Sequence, residues 1–309
     1  MTGARSVPDT ARMPQSRPRR FPFSRSGRPD EADRAGTAAD DNATDAAVPE
    51  AAAATDAADP TPAPAPAPSG SQRRRIRDWM PFLLLRAAHP RQALVTALAL
   101  AAAAALDGRP ARDMALVFAT VLVGQVILGW HNDLVDDTVD RAHGRSGKPI
   151  ADRRLDAGST WFSLCCAVLL VVPLAVSNGV AAGLSYLASV AVGMVGNVVL
   201  RRGLFSFVPW AIAFALYVPF LSYGGWGGGN HGSAPQPAVV ALAALIGVGV
   251  HFLLALWGLV ADNADGWSYL PLRLGLRMGA SRLLLVAGAF TAVVVAALAL
   301  VTSQVGLRR

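Results

Sequence analysis

Acidic and amide side chains crowd one short stretch of the chain, HNDLVDDTVD over residues 131–140. On a helix, Asn132, Asp136 and Asp140 are spaced four apart, and Asp133, Asp136 and Asp140 three and four apart, so they share one face. Carboxylates placed in this way repel one another. At the end of an apolar segment, where water screens them less, that repulsion is costly and a divalent cation would remove it. Oxygen-only ligands suit Mg²⁺, which keeps waters and takes phosphate oxygens to complete its shell. Basic groups follow at Arg141, Arg145 and Lys148, the last being the only lysine in the chain. Arginine and lysine pair directly with phosphate oxygens. The spacing describes a site for a diphosphate whose hydrocarbon part lies among apolar helices. The plain alternative is a solvated loop whose acids pair with its own bases. The position of the stretch at the end of a long apolar run favours the site, because ionisable groups at membrane depth are seldom idle.

Apolar stretches at 81–106, 113–131, 159–177, 179–198, 204–223, 237–257 and 280–303 must position these residues. A helix needs about 20 apolar residues to cross the hydrocarbon core. With every backbone polar group needing an internal partner in lipid, helices are the expected form. The sequence predicts an all-α polytopic membrane bundle of seven spans, rich in the Ala and Gly that let helices pack closely. Composition agrees: 53% of the 309 residues are hydrophobic and only 16% charged, against about 45–50% and about 25% in soluble domains. This excludes a purely soluble enzyme and a wholly disordered chain.

Charge is unevenly spread. Residues 1–72 hold 8 Arg against 10 Asp and Glu, whereas residues 73–309 hold 20 basic and 11 acidic groups. The first part is an Arg/Ala/Asp/Pro-rich tail, ending in PTPAPAPAPSG, that cannot bury enough apolar area to fold. The second, 73–309, is the membrane domain, introduced by the basic collar QRRRIRDW. Despite a pI near 10.4, the positive charge sits in short loops between apolar runs, so no nucleic-acid partner is expected. Placing the tail inside the cell puts Arg141, Arg145, Lys148, Arg153, Arg154, Arg201, Arg202, Arg273, Arg277 and Arg282 in cytoplasmic loops. Only Arg109, Arg112, Arg308 and Arg309 fall outside. The positive-inside bias thus predicts a multi-pass cell-membrane protein with a cytoplasmic amino terminus. The same orientation brings both acidic segments, 133–140 and 262–265, to the cytoplasmic face. No signal-peptide layout opens the chain, and the adjacent Cys165 and Cys166 cannot form a disulfide framework or a four-ligand zinc site.

The stretch NDLVDDTVD resembles the first signature, NDxxDxxxD, of the UbiA-type membrane prenyltransferases. The following GRSGKPIADRRLDAG is similar to that family's basic stretch. LLLRAAHPRQALVTALALAAAAALDGR resembles its opening helix, and GNVVLRRGLFSFVPWAIAF its fourth-to-fifth helix turn. The likeness runs from Arg86 to the carboxyl end and leaves out the tail. It implies a helical bundle with a cavity open to the cytoplasm, and Mg²⁺-dependent transfer of a prenyl group from a prenyl diphosphate to a lipophilic or aromatic acceptor. By position, Asn132, Asp133, Asp136 and Asp140 would organise the first metal, and Arg145 and Lys148 would contact diphosphate.

The family's second motif, DxxxD, is only half present. In HFLLALWGLVADNADGWSYLPLRLG, Leu270-Pro271 anchors the alignment and Asp262 stands eight residues before Leu270, as the family has it. Gly258 stands where the first Asp belongs. Asp262 is therefore assigned to the second metal, with Asp265 as a substitute ligand, and Gly258→Asp is expected to raise Mg²⁺-dependent turnover or leave it unchanged. His131 and His251 lie near the two motifs and are read as hydrogen-bonded, cavity-lining groups. The family bundle also has two closing helices beyond the seven stretches found here, which implies either a shortened chain or a partner or second copy that seals the cavity. A non-catalytic relative that binds a prenyl diphosphate or a partner protein is the alternative. An unrelated seven-span transporter or receptor is the third reading. A retinal Schiff base is excluded, because Lys148 lies in a loop.

Overall fold

The computed structural model describes residues 78–144, 147–225 and 234–305, all within one compact unit, Ser69–Arg309. The tail at 1–72 and Arg145 lie outside the described residues. The regular structure is helical: α1 (Met80–Ala87), α2 (Pro90–Leu106), α3 (Ala111–Ala142), α4 (Ala157–Ser177), α5 (Val180–Val195), α6 (Val208–Ser222), α7 (Pro237–Ala255), α8 (Leu259–Ala264), α9 (Leu270–Met278) and α10 (Ala280–Val305). One π-helical turn, Gly196–Leu200, continues α5.

Local sequence explains most of the boundaries. Proline opens the first turn of α1, α2, α6, α7 and α9, where its missing N–H costs nothing. Asp156 caps α4, its side chain accepting from the Ser159 amide at 2.8 Å. Gly179, at φ +109°, reverses the chain between α4 and α5, at the Ser177-Asn178-Gly179 separation visible in the sequence.

Among the described residues, five helical segments are long and apolar enough to cross a membrane: Ala111–Ala142, Ala157–Ser177, Val180–Leu200, Pro237–Ala255 and Ala280–Gln304. Two of the seven expected spans fall short. The stretch at 81–106 is broken at His89-Pro90, which leaves α2 with 17 residues, about 26 Å. The stretch at 204–223 begins with turns up to Phe207, which leaves α6 with 15 residues, about 22 Å. Both remain apolar helices packed in the bundle.

Successive helices pack as neighbours from α2 to α7, and α10 returns onto α7 and α9. The main core joins α2 through α6 around Val121, Ile127, Tyr186 and Phe220. At 32 residues, α3 runs about 48 Å, well beyond a hydrocarbon core of about 30 Å. Its acidic last turns therefore extend beyond the length a single crossing needs. Near them α1 presses on α3 so closely that a Cβ at Gly129 would lie 2.6 Å from the Ala88 carbonyl oxygen. Backbone cannot rotate away, so Gly129→Ala should destabilise the fold by about 1–3 kcal/mol. Thermal unfolding in detergent measures this, and a wild-type melting temperature would contradict the close approach.

Candidate functional site

Along the end of α3 the acids divide by burial. Asp133, Asp136 and Asp140 are 3%, 5% and 1% exposed. Asp137 turns outward and accepts from the Arg141 guanidinium one turn on, an exposed pair of small energetic weight. Asn132 is half-buried beside Asp133.

The three buried carboxylates converge on a single ammonium. Lys148 Nζ lies 2.7 Å from Asp140 Oδ2, 3.1 Å from Asp133 Oδ1 and 4.0 Å from Asp136 Oδ2. Burial works against the charge on Lys148, but Asp133, Asp140 and Asp136 outweigh it and hold the ammonium above the usual lysine range. The sequence assigns Lys148 to a phosphate; within the protein alone it meets the carboxylates. The Arg201 guanidinium adds an ion pair to Asp136. Its position follows from the π-helical turn that ends at Leu200, the kind of irregular turn that recurs at functional sites.

His89 contributes a further contact, its Nε2 lying 3.0 Å from Asp133 Oδ1. It stands between α1 and α2 at φ 51°, ψ 57°, a left-handed conformation that is costly for a residue with a Cβ. That turn aims the imidazole at Asp133. A cleft of about 480 Å³ opens beside it, lined among others by Arg86, His89, Arg91, Asp133 and Lys148. Sequence reasoning gave His89 and Arg201 no part in the site. The available signal was a histidine directly before a helix-opening proline, and an arginine pair closing an apolar run.

The second acidic segment lies at the same end of the bundle. Arg201 and Arg202 sit over the Trp267 ring at 4.7 and 5.2 Å, a cation–π arrangement. The Ser268 amide donates to the Arg202 carbonyl at 3.2 Å. His143, just past α3, has Nε2 2.7 Å from Asp265 Oδ1. Asp262 is buried, and one of its oxygens accepts from the Tyr269 hydroxyl at 2.5 Å. Tyr269 thus has a specific role beyond interface packing, and Trp267, to which the sequence assigned no chemistry, supports Arg201. His251 meets Ser206 at 2.9 Å between its Nε2 and the hydroxyl, and His131 packs edge-on to Trp161.

Among the described residues no three His, Cys, Asp or Glu side chains close on one point tightly enough to hold a metal by themselves. Asp133 and Asp140 close on Lys148 in its place. The donor set nevertheless fits a hard divalent cation: it consists of carboxylate oxygens, and Asp265 Oδ2 is buried with no partner among the described residues.

A helical membrane bundle with a buried acidic cluster at one end defines a fold seen before. The structure of a UbiA homolog from Archaeoglobus fulgidus bound to GPP and Mg²⁺ matches with a TM-score of 0.55, at 18% identity over 71% of this chain and 78% of that one. The same homolog bound to DMAPP and Mg²⁺ matches at 0.52, with 20% identity over 71% of this chain and 78% of that one. Its Cd²⁺-bound structure matches at 0.54, with 16% identity over 73% and 81%. The chain therefore has the UbiA-type fold. No protein-family model and no curated protein matches it.

Proposed function

We propose that this chain is a UbiA-type membrane prenyltransferase that moves a prenyl group from a prenyl diphosphate to a lipophilic or aromatic acceptor. The reading is carried by the convergence of Asp133, Asp136 and Asp140, all buried, on Lys148 at the end of a membrane-length helix. The homolog's GPP- and DMAPP-bound forms with Mg²⁺ support that substrate class and that metal. Asn132, Asp133, Asp136 and Asp140 would hold one Mg²⁺, and Asp262 with Asp265 a second. Mg²⁺ bound there would neutralise the diphosphate and make it a better leaving group. Arg145, which lies outside the described residues, is assigned to diphosphate with Lys148.

The protein's own groups then divide the work. Lys148 and Arg201 donate to phosphate oxygens as the prenyl–oxygen bond breaks, and stabilise the charge that grows on the leaving group. The apolar helix walls hold the chain and keep water from the allylic cation until the acceptor attacks. The positive-inside bias orients this end toward the cytoplasm in the cell membrane.

A non-catalytic prenyl diphosphate-binding protein is the second reading, favoured by Gly258 at the place of a metal carboxylate. Two measurements on the purified chain in detergent separate the readings. Binding of C10 diphosphate that requires Mg²⁺ supports the shared site, and its absence from folded protein overturns both. Diphosphate release in the presence of an aromatic acceptor panel supports the enzyme over the binder.

A further inference from the structure

Arg112, Arg141, Arg154 and Arg201 each pair with a carboxylate, on Asp113, Asp137, Asp78 and Asp136 respectively. Arg273, Arg277 and Arg282 differ. All three are exposed, and none has a carboxylate within ion-pair reach among the described residues. Sequence explains this: no Asp or Glu stands between Asp265 and Arg309. The charge on this edge of the bundle is uniformly positive.

The element that carries it belongs at the membrane surface. At nine residues, α9 is about 14 Å long, too short to cross a hydrocarbon core of about 30 Å. It ends at Gly279, whose φ of +88° suits a sharp turn that a side chain would strain. The apolar span Ala280–Gln304 begins at the next residue. The inner face of α9 is occupied. Leu272 joins Leu259, Tyr269 and Leu283 in one buried cluster, and a Cβ at Gly275 would lie 3.0 Å from Leu259 Cδ1. The outer face carries Arg273, Leu276 and Arg277, all within about 100° of the helix circumference. Leu276 is 46% exposed. An apolar side chain between two guanidinium groups suits a helix lying in the interface, with the leucine in the acyl boundary and the charges among headgroups.

We infer that Arg273 and Arg277, with Arg282 in the first turn of α10, seat the headgroup of an anionic phospholipid. Guanidinium matches phosphate in both geometry and charge, and no acid on this face opposes it. A zwitterionic lipid offers the same phosphate, but its ammonium meets the arginines as a like charge. A soluble phosphate lacks the second contact that a lipid makes, its acyl chains against Leu276 and against Leu284 and Leu285 of α10, which are exposed.

The test is native mass spectrometry of the full chain released from uncharged detergent, titrated with phosphatidylglycerol and with phosphatidylcholine of the same acyl chains. Wild type should hold phosphatidylglycerol at least about tenfold more tightly than phosphatidylcholine. Arg273→Gln/Arg277→Gln should lose about 25-fold in phosphatidylglycerol affinity, about fivefold for each charge. Its melting temperature without lipid should match wild type, since both side chains are exposed. If it does not, each single change carries the test with a fivefold loss of its own. Arg153→Gln, which removes an exposed arginine outside α9, should bind as wild type does. Inorganic phosphate should not displace the lipid. Equal binding of the two lipids by wild type, or an unchanged preference in a folded variant, overturns the seat. An equal loss in Arg153→Gln would trace the preference to net charge alone, and displacement by inorganic phosphate would make the face a site for soluble anions; either result also overturns it. No Mg²⁺ or prenyl diphosphate enters this experiment, so its failure leaves the prenyltransferase reading where it stands.

Discussion

Asp133→Asn/Asp136→Asn will lose Mg²⁺-dependent binding of C10 diphosphate by more than about 100-fold. Changes to groups that merely support metal ligands already cost about 10–100-fold, and this variant removes two charges from the ligands themselves. Asparagine keeps the size and hydrogen-bonding reach of each side chain, so the loss reports charge rather than shape. Wild-type protein should gain thermal stability from Mg²⁺ and C10 diphosphate together, as any ligand selective for the folded state confers. The double variant should gain none. Asp137→Asn supplies the comparison one residue away. Its carboxylate faces outward and pairs with Arg141 on the surface of the same helix, so binding should stay at the wild-type level. Equal losses at Asp137 and at the buried pair would mean that general negative charge, not a built site, draws the ligand.

The contrast between these neighbours shows how much of the site was legible beforehand. The spacing of Asp133, Asp136 and Asp140 fixes their shared face, because helical periodicity acts within one element. The helical class and the position of the acids at a span end follow in the same way from apolar run lengths. Contacts between elements do not. His89 is 44 residues from Asp133 and Arg201 is 65 from Asp136. Nothing in the local pattern joins them; the joining depends on a left-handed turn before Pro90 and a π-helical turn before Arg201. Helix lengths are less legible for a related reason. Apolar composition continues through His89-Pro90 and through 204–207, but the backbone does not stay helical there; at His89 the reason is that a residue before proline disfavours the helical region.

Gly258→Asp will lower the melting temperature of the metal-free protein and make it respond to Mg²⁺ more strongly than wild type. Gly258 has φ −99° and ψ −12°, a conformation open to any residue, so backbone strain plays no part. The obstacle is the neighbour. A Cβ at 258 would lie 2.6 Å from Asp262 Oδ2, and that carboxylate accepts from Tyr269 at 2.5 Å. A carboxylate added at 258 therefore displaces Asp262 and faces it as a like charge. At about 4 Å in surroundings of intermediate polarity, two such charges repel by about 4 kcal/mol. A divalent cation between them reverses the sign of that interaction, which is the arrangement a complete DxxxD pair would serve. Gly258→Ala separates the two contributions: it carries the steric displacement without the charge, so it should melt below wild type and show no added Mg²⁺ response. Melting curves in EDTA and in Mg²⁺ for the three proteins decide the matter. If Mg²⁺ shifts the Asp and Ala variants equally, the segment around Asp262 does not bind a cation, and the expectation that Gly258→Asp sustains or raises turnover fails with it. If only the Asp variant gains a response, a carboxylate at 258 completes the weaker second Mg²⁺ site that Asp262 and Asp265 would form.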